Sequence, residues 1–300
     1  MGRMSQQQIK TLIEGRIVED GLMETGVKGV RLFRATSPIP CAPAVYEPTV
    51  VAIVSGAKEA ILDGKRYVYD SRQYMCCPMS MPVEAGTPDA SPDNPLLGVI
   101  ISLDTRVMTE LAIEMETAGG TNRMPKGGPL PQGLALAQWD NGFTDAVSRL
   151  LELGNSPADM AVLGDGRLRE LYYAVLKGDA GQAARRAFGV GNEIARAIAY
   201  LSSHLHKPVT IDDMAAHVGM SRAVLHRKFK QATTMSPIQF MKSMRLNNAA
   251  MKIAGGMTVS AAAMDVGYVS PSQFSREFKR LYRQSPREWS NALQRPVGAA

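Results

Sequence analysis

The chain has 300 residues, 45% hydrophobic and 21% charged, with a formal net charge of +6, long enough for two domains that each bury a core. No stretch approaches the roughly 18 apolar residues of a membrane span, and the first twenty residues lack the apolar run of a secretory leader, so a cytoplasmic protein is expected. Cys41, Cys76 and Cys77 are an odd number in no metal spacing, which argues against a disulfide framework or a zinc site.

Residues 44–103 read as β structure. "TVVAIVSG" is a near-continuous buried strand, and "AILDGKRYVY" is a hairpin turning at Asp63–Gly64. "QYMCCPM" and "LLGVIISL" add strands, with polar loops such as "GTPDASPDNP" between them. From Asp104 the pattern turns helical, first in "DTRVMTELAIEMETA". A Gly/Pro-rich loop over Gly119–Gly133 follows, then helices around Gly142–Leu153, Arg167–Leu176 and Ala180–Phe188. Strands followed by helices place this part in the α+β class.

The charge is unevenly spread. Residues 191–300 hold 15 Lys/Arg against 6 Asp/Glu, whereas the first 190 hold 19 against 22. A basic segment on a mildly acidic one suits a polyanion partner. The basic segment also contains a repeat: "TIDDMAAHVGMSRAVLHRKFKQATTMSP" from Thr210 and "TVSAAAMDVGYVSPSQFSREFKRLYRQSP" from Thr258. Each unit reads as two helices around a glycine. Ile211, Met214, Ala215 and Val218 form one apolar face, Gly219 ends that helix, and Ser221 caps the next, which faces inward with Val224, Leu225 and Phe229. In the second unit Val259, Ala262, Ala263 and Val266 precede Gly267, Ser270 caps, Pro271 opens the helix, and Phe274, Phe278 and Leu281 face the core. This is a helix-turn-helix, twice, at 210–232 and 258–283. "NEIARAIAYLSSHLH" reads as a helix packed on the first unit. "PIQFMKSMRLNNAAMKI" reads as a linking helix with Ile238, Met241, Met244 (or Arg245) and Ala249 on its inner face, Arg245 having a structural role.

On "AAHVGMS…L…FK", "RLNNAAMKI" and "DVGYVSPSQFSREFKR…SP", roughly residues 190–290 resemble the DNA-binding domain of AraC/XylS-type transcription regulators. The resemblance implies that one subunit places two recognition helices in successive major-groove segments of promoter DNA. Ala223, His226 and Arg227, then Pro271, Ser272, Ser275 and Arg276, resemble the base-contacting positions. Arg222, Lys230, Lys279 and Arg283 suit phosphates. "VYEPTVVAIVSGAKEAILDGKRYVYDSRQYM" and "MPVEAGTPDASPDNPLLGVIISLD" resemble the effector domain of one AraC-type subgroup, a cupin-like barrel with a helical dimerisation region. The division implied is 1–188 for that domain and 189–300 for the DNA-binding one, with RNA polymerase as a further partner. Phe143, Val147, Leu150, Leu151, Leu171 and Leu176 are more apolar surface than a small barrel is expected to cover, so a homodimer is expected.

The signal is not legible. Candidate effector-pocket residues are Tyr67, Tyr69, Arg72, Tyr74, Met75, Cys76, Cys77, Met79 and Met81; Cys76 and Cys77 point to opposite faces of a strand, so at most one points inward. The cysteines read either as small buried hydrophobes, with a non-covalent small molecule held by Tyr67 and Tyr69, or as a redox or electrophile sensor. An N-terminal domain that only oligomerises stays open as well. A cupin metalloenzyme is disfavoured: His204, His206, His217 and His226 all lie after residue 200, so the barrel has no imidazole for a transition metal. No nucleophile triad or phosphate loop is present either. The expectation is a regulator without cofactor, metal site or catalytic residues.

Overall fold

The computed structural model describes residues 6–118, 133–189, 192–207 and 209–294; most of the expected loop at Gly119–Gly133 lies outside them. After α1 (Gln6–Glu14), strands β1 (Gly21–Glu24), β2 (Val30–Ala35), β3 (Ile39–Tyr46), β4 (Thr49–Ser55), β5 (Ala57–Leu62), β6 (Lys65–Asp70), β7 (Gln73–Cys77), β8 (Met81–Thr87) and β9 (Leu96–Ser102) follow in turn. Then come α2 (Thr105–Ala118), β10 (Ala135–Gln138), α3 (Asn141–Glu152), α4 (Pro157–Lys177) and α5 (Gly181–Phe188). The strands form two antiparallel sheets, β1-β2-β9-β4-β7-β10 and β3-β8-β5-β6, and together make the cupin-like barrel. The hairpin at Asp63–Gly64 is as expected, both residues taking positive φ (49° and 76°) as a tight two-residue turn requires. Strands before residue 44, β8, α1 and the first ten residues of α4 are additions to the sequence reading.

The remaining helices are α6 (Glu193–Ser203), α7 (Ile211–Val218), α8 (Arg222–Thr233), α9 (Pro237–Ala254), α10 (Val259–Asp265), α11 (Pro271–Tyr282) and α12 (Pro286–Gln294). Helices α7–α8 and α10–α11 are the two repeat units, joined by α9. The inner face of α9 differs from the expected one. Ile238 is exposed, and Phe240 is buried instead, edge-on to Phe229 at 5.2 Å. Leu281 is exposed too, because Tyr282 and Trp289 from α12 close the second core around Phe278.

Helix α9 also docks on the barrel. Ala44 of β3 and Val83 of β8 are paired neighbours, and the Asn247 amide donates to both carbonyls, at 2.8 and 2.9 Å. The Asn247 oxygen accepts from the Tyr282 hydroxyl at 2.6 Å. Nothing in this buried amide is left unsatisfied, which is what its burial requires.

Two stability outcomes follow. Asn247→Ala strands two carbonyls and the Tyr282 hydroxyl, and is expected to cost about 2 kcal/mol in denaturant unfolding of the full chain; a loss below about 0.5 kcal/mol would show the contact to be neutral. Thr234 and Arg283, 49 residues apart, end α8 and α11 in left-handed backbone (φ 66° and 61°). A β-branched residue is strained there, so Thr234→Gly is expected to raise stability by about 1 kcal/mol, read by the same unfolding curve.

Candidate functional site

Each recognition helix is set by local sequence. Thr210 and Asp213 form a reciprocal capping box at the start of α7, and the bonds from Thr210 hold the Asp213 carboxyl below the usual range. Gly219 takes φ 69°, ending α7 and turning the chain into Ser221, whose hydroxyl accepts from the Val224 amide. In the second unit Gly267 takes φ 84°, and a Cβ there would lie 2.6 Å from the Leu205 carbonyl. Conformation and space both demand glycine. Arg245 confirms a structural placement beside that turn, donating to the Leu205 and Lys207 carbonyls at 3.2 and 2.7 Å.

With Leu225, Phe229, Phe274 and Phe278 buried, the outward faces are polar and basic. Arg222, Ala223, His226, Arg227 and Lys230 are exposed on α8; Pro271, Ser272, Ser275, Arg276 and Lys279 are exposed on α11, with Arg283 just past its end. Arg222 faces Asp212 at 3.6 Å across open solvent, a weak pair. Among the described residues no ion pair engages Arg227, Arg276 or Lys279. Sequence reasoning missed Gln273 and Arg280, both exposed on α11; Gln273 is legible as the residue three before Arg276, on the same face.

The predicted effector residues do not form one pocket. Strand β7 sends Tyr74 and Cys76 to one face and Met75 and Cys77 to the other. The outer face is covered by α3: Tyr74 stacks on Phe143 with ring centroids 3.9 Å apart. Both cysteines are therefore buried, where the sequence allowed one to point outward. Arg72 lies outside the barrel, 82% exposed and bound to Asp70 at 2.7 Å. Tyr69 faces inward with Tyr67 partly buried above it, and the Tyr69 and Tyr46 hydroxyls lie side by side, buried and without a well-formed hydrogen bond. Met79 and Met81 are buried as well. Burial pushes the Cys76 thiol up to about 12 and the Cys77 thiol also far up. Cys77 donates to the Met79 and Gly133 carbonyls at 3.1 and 3.2 Å. These are packing residues rather than activated thiols.

The residues expected to form a dimer surface, Phe143, Val147, Leu150, Leu151, Leu171 and Leu176, are also buried within one chain, because α3 and α4 cover each other and the barrel. Open volume lies elsewhere. A cavity of about 360 Å³ separates Pro82, Val83 and Glu84 of β8 from Lys242, Glu277 and Arg280. A second, of about 290 Å³, lies among Pro48, Met79, Phe188, Ile198 and Arg196.

Comparison with known proteins gives two family matches. Residues 26–183 match the family described as AraC-type transcriptional regulator N-terminus, and residues 214–292 match a helix-turn-helix domain. The regulatory protein SoxS of Escherichia coli K12 is 32% identical over 97 residues, 32% of this chain and 91% of SoxS. The transcriptional regulator MtrA of Neisseria gonorrhoeae is 38% identical over 80 residues, 26% of this chain and 27% of MtrA. In fold, ToxT of Vibrio cholerae superposes with a TM-score of 0.54 at 12% identity, over 89% of this chain and 98% of ToxT.

The thiol placement has a direct outcome. In the native chain Cys41, half-buried and 3.7 Å from Glu59, is expected to take up a brief maleimide pulse before Cys76 or Cys77, which react only after unfolding. Mass spectrometry of tryptic peptides reads this; native labelling of Cys76 or Cys77 would overturn the packing assignment.

Proposed function

The chain belongs to the AraC-type transcriptional regulators, whose N-terminal family matches more than half of it, and from that premise we propose how its parts divide the work. The observation that carries the reading is the doubled, glycine-turned helix pair with two exposed basic recognition helices. Arg227 on α8 and Arg276 on α11 read bases, guanine being the bidentate match for arginine; Ala223, His226, Pro271, Ser272 and Ser275 complete the reading faces. Arg222, Lys230, Lys279 and Arg283 hold phosphates and set register. The boundary between the two functional parts falls near residue 189. RNA polymerase is the partner that family membership implies, and the cytoplasm the compartment.

The barrel half receives a small molecule. ToxT, similar in fold, has been solved with an unsaturated fatty acid bound, which supports a small-molecule role for such a barrel and says nothing of the ligand here. The two halves meet at α9, so a ligand at that seam has a mechanical route to the DNA-binding helices. The chain works as a homodimer. The surface that supports this is the outer side of α4, where Ala158, Ala161, Val162 and Leu163 are exposed and Val162 is 79% accessible. A helix stripe of this kind suits packing against its own copy.

Two experiments test these assignments. On a duplex selected from a random pool by the wild-type chain, Arg227→Ala and Arg276→Ala are each expected to cost about 1–3 kcal/mol and relax preference at one base pair. Lys279→Ala is expected to weaken cognate and scrambled duplexes alike and to flatten the salt dependence. Equal losses on both duplexes for the arginine variants would refute base reading. In sedimentation, the wild-type chain is expected to run as a dimer at micromolar concentration and Val162→Glu as a monomer; a monomeric wild type refutes the assembly.

A further inference from the structure

Helix α11 carries one acidic residue, Glu277, among Arg276, Lys279 and Arg280. A carboxylate on a helix that approaches phosphates is repelled by them, yet this one is held rather than left on the surface. Its side chain is 13% exposed. The Tyr268 hydroxyl donates to one oxygen at 2.7 Å; Lys242 Nζ and the Gln273 amide donate to the other at 3.1 and 3.3 Å. Burial alone raises its pKa, and these bonds outweigh it, so the carboxyl stays below the ordinary range and ionised.

Two of the three donors lie off α11, and those two hold it against its surroundings. Tyr268 follows the Gly267 turn, Lys242 stands on α9, and Gln273 lies in the first turn of α11 on the outward side. Phe274 and Phe278 form a single stripe that holds α11 to the core, but one stripe of rings fixes distance better than roll about the helix axis. A helix with side chains is about 10–12 Å across, so a roll of about 20° carries side-chain tips by about 2 Å. A positioned contact tolerates about 0.5 Å. Something beside the stripe must fix the roll, and Glu277 is three residues from Phe274 at its flank.

The first unit supplies independent support. With the 49-residue offset, Glu277 corresponds to Lys228, which also turns back to the helix before its own unit and faces Glu193 of α6 at 3.7 Å. Each recognition helix thus carries a charged tether at the same repeat position, with opposite polarity. The first tether is a single half-exposed pair, of little strength. Before the turn the offset is 48, as between Gly219 and Gly267, so Tyr268 corresponds to Met220 and Gln273 to Val224, neither of which bears a hydrogen-bonding side chain of that kind.

We propose that Glu277 is a positioning residue for DNA reading: held by Tyr268 and Lys242, it fixes the roll of α11, and so the register of its side chains on the second groove segment. Glu277 touches no DNA itself. The inference rests on α11 entering a groove.

The experiment uses the full chain and a duplex selected from a random pool by the wild type, with every base pair substituted in turn and affinity read by fluorescence anisotropy. Glu277→Ala is expected to reduce discrimination about tenfold at positions in one groove segment, leaving the other segment unchanged. Its affinity for scrambled DNA is expected to hold or rise, since a negative charge is gone. Lys242→Met, on a different and more exposed residue, is expected to blur the same segment less strongly, and Glu277→Gln to fall between, because it keeps an acceptor for Tyr268. Lys228→Gln is expected to affect the other segment. Loss spread evenly over both segments, parallel loss on scrambled DNA, or unchanged discrimination in Glu277→Ala would each overturn the proposal. A wild-type chain selecting a site with one segment would overturn the groove assignment of α11 and this inference with it.

Discussion

Within the packed seam between the two halves, one buried amide supplies the polar tie. Asn247 spans the paired residues Ala44 and Val83 and accepts from Tyr282, so the barrel, the linking helix and the end of the second recognition helix share three adjoining hydrogen bonds. Removed from water, each of these groups is costly to leave unpaired. The arrangement is therefore satisfied as a set, and breaking one bond exposes the deficit of the others. Because α9 connects the two repeat units and is itself the docked helix, the placement of both recognition helices relative to the barrel passes through this contact.

The electrostatics follow from that placement. The basic excess of the C-terminal third is left on outward faces, where it is hydrated and available to a polyanion. The charges that turn inward, Lys228 and Glu277, each find an opposite charge on the helix before their own unit. On the proposed reading, outward charges supply affinity that salt screens, and the Glu277 carboxylate holds its helix in place.

What the sequence revealed depended on how local the cause was. The repeat was legible because its determinants are local: Thr210, Ser221, Thr258 and Ser270 cap helices, and Gly219 and Gly267 make turns that other residues resist. Strand β3 was not, since Pro40 and Pro43 interrupt it; it stands at the edge of its sheet, where proline is tolerated. Helix α4 was entered ten residues late because Gly164 and Gly166 lower its helical signal. At the candidate effector region, alternation along β7 assigned Cys76 and Cys77 to opposite faces correctly, but covering both faces depends on α3, whose Phe143 is distant in sequence. Likewise Leu281 was given to the core because Trp289, which displaces it, belongs to a helix the repeat does not contain.

The buried residues of the barrel bear on where a signal can act. Tyr69, Met75 and Cys77 occupy its interior with almost no exposure, and a well-packed interior yields little to a small guest without strain. The two cavities described lie instead at the seam between barrel and helices, one bounded by Lys242 and Glu277, the other by the segment joining α5 to α6. A guest in the first would lie against the tether of α11; a guest in the second would lie against the joint itself. Changes of shape at either place bear on α9 and its docked amide, whereas a change inside the barrel must first displace packed side chains. On the proposed reading, a guest at the seam would act by altering how the halves meet.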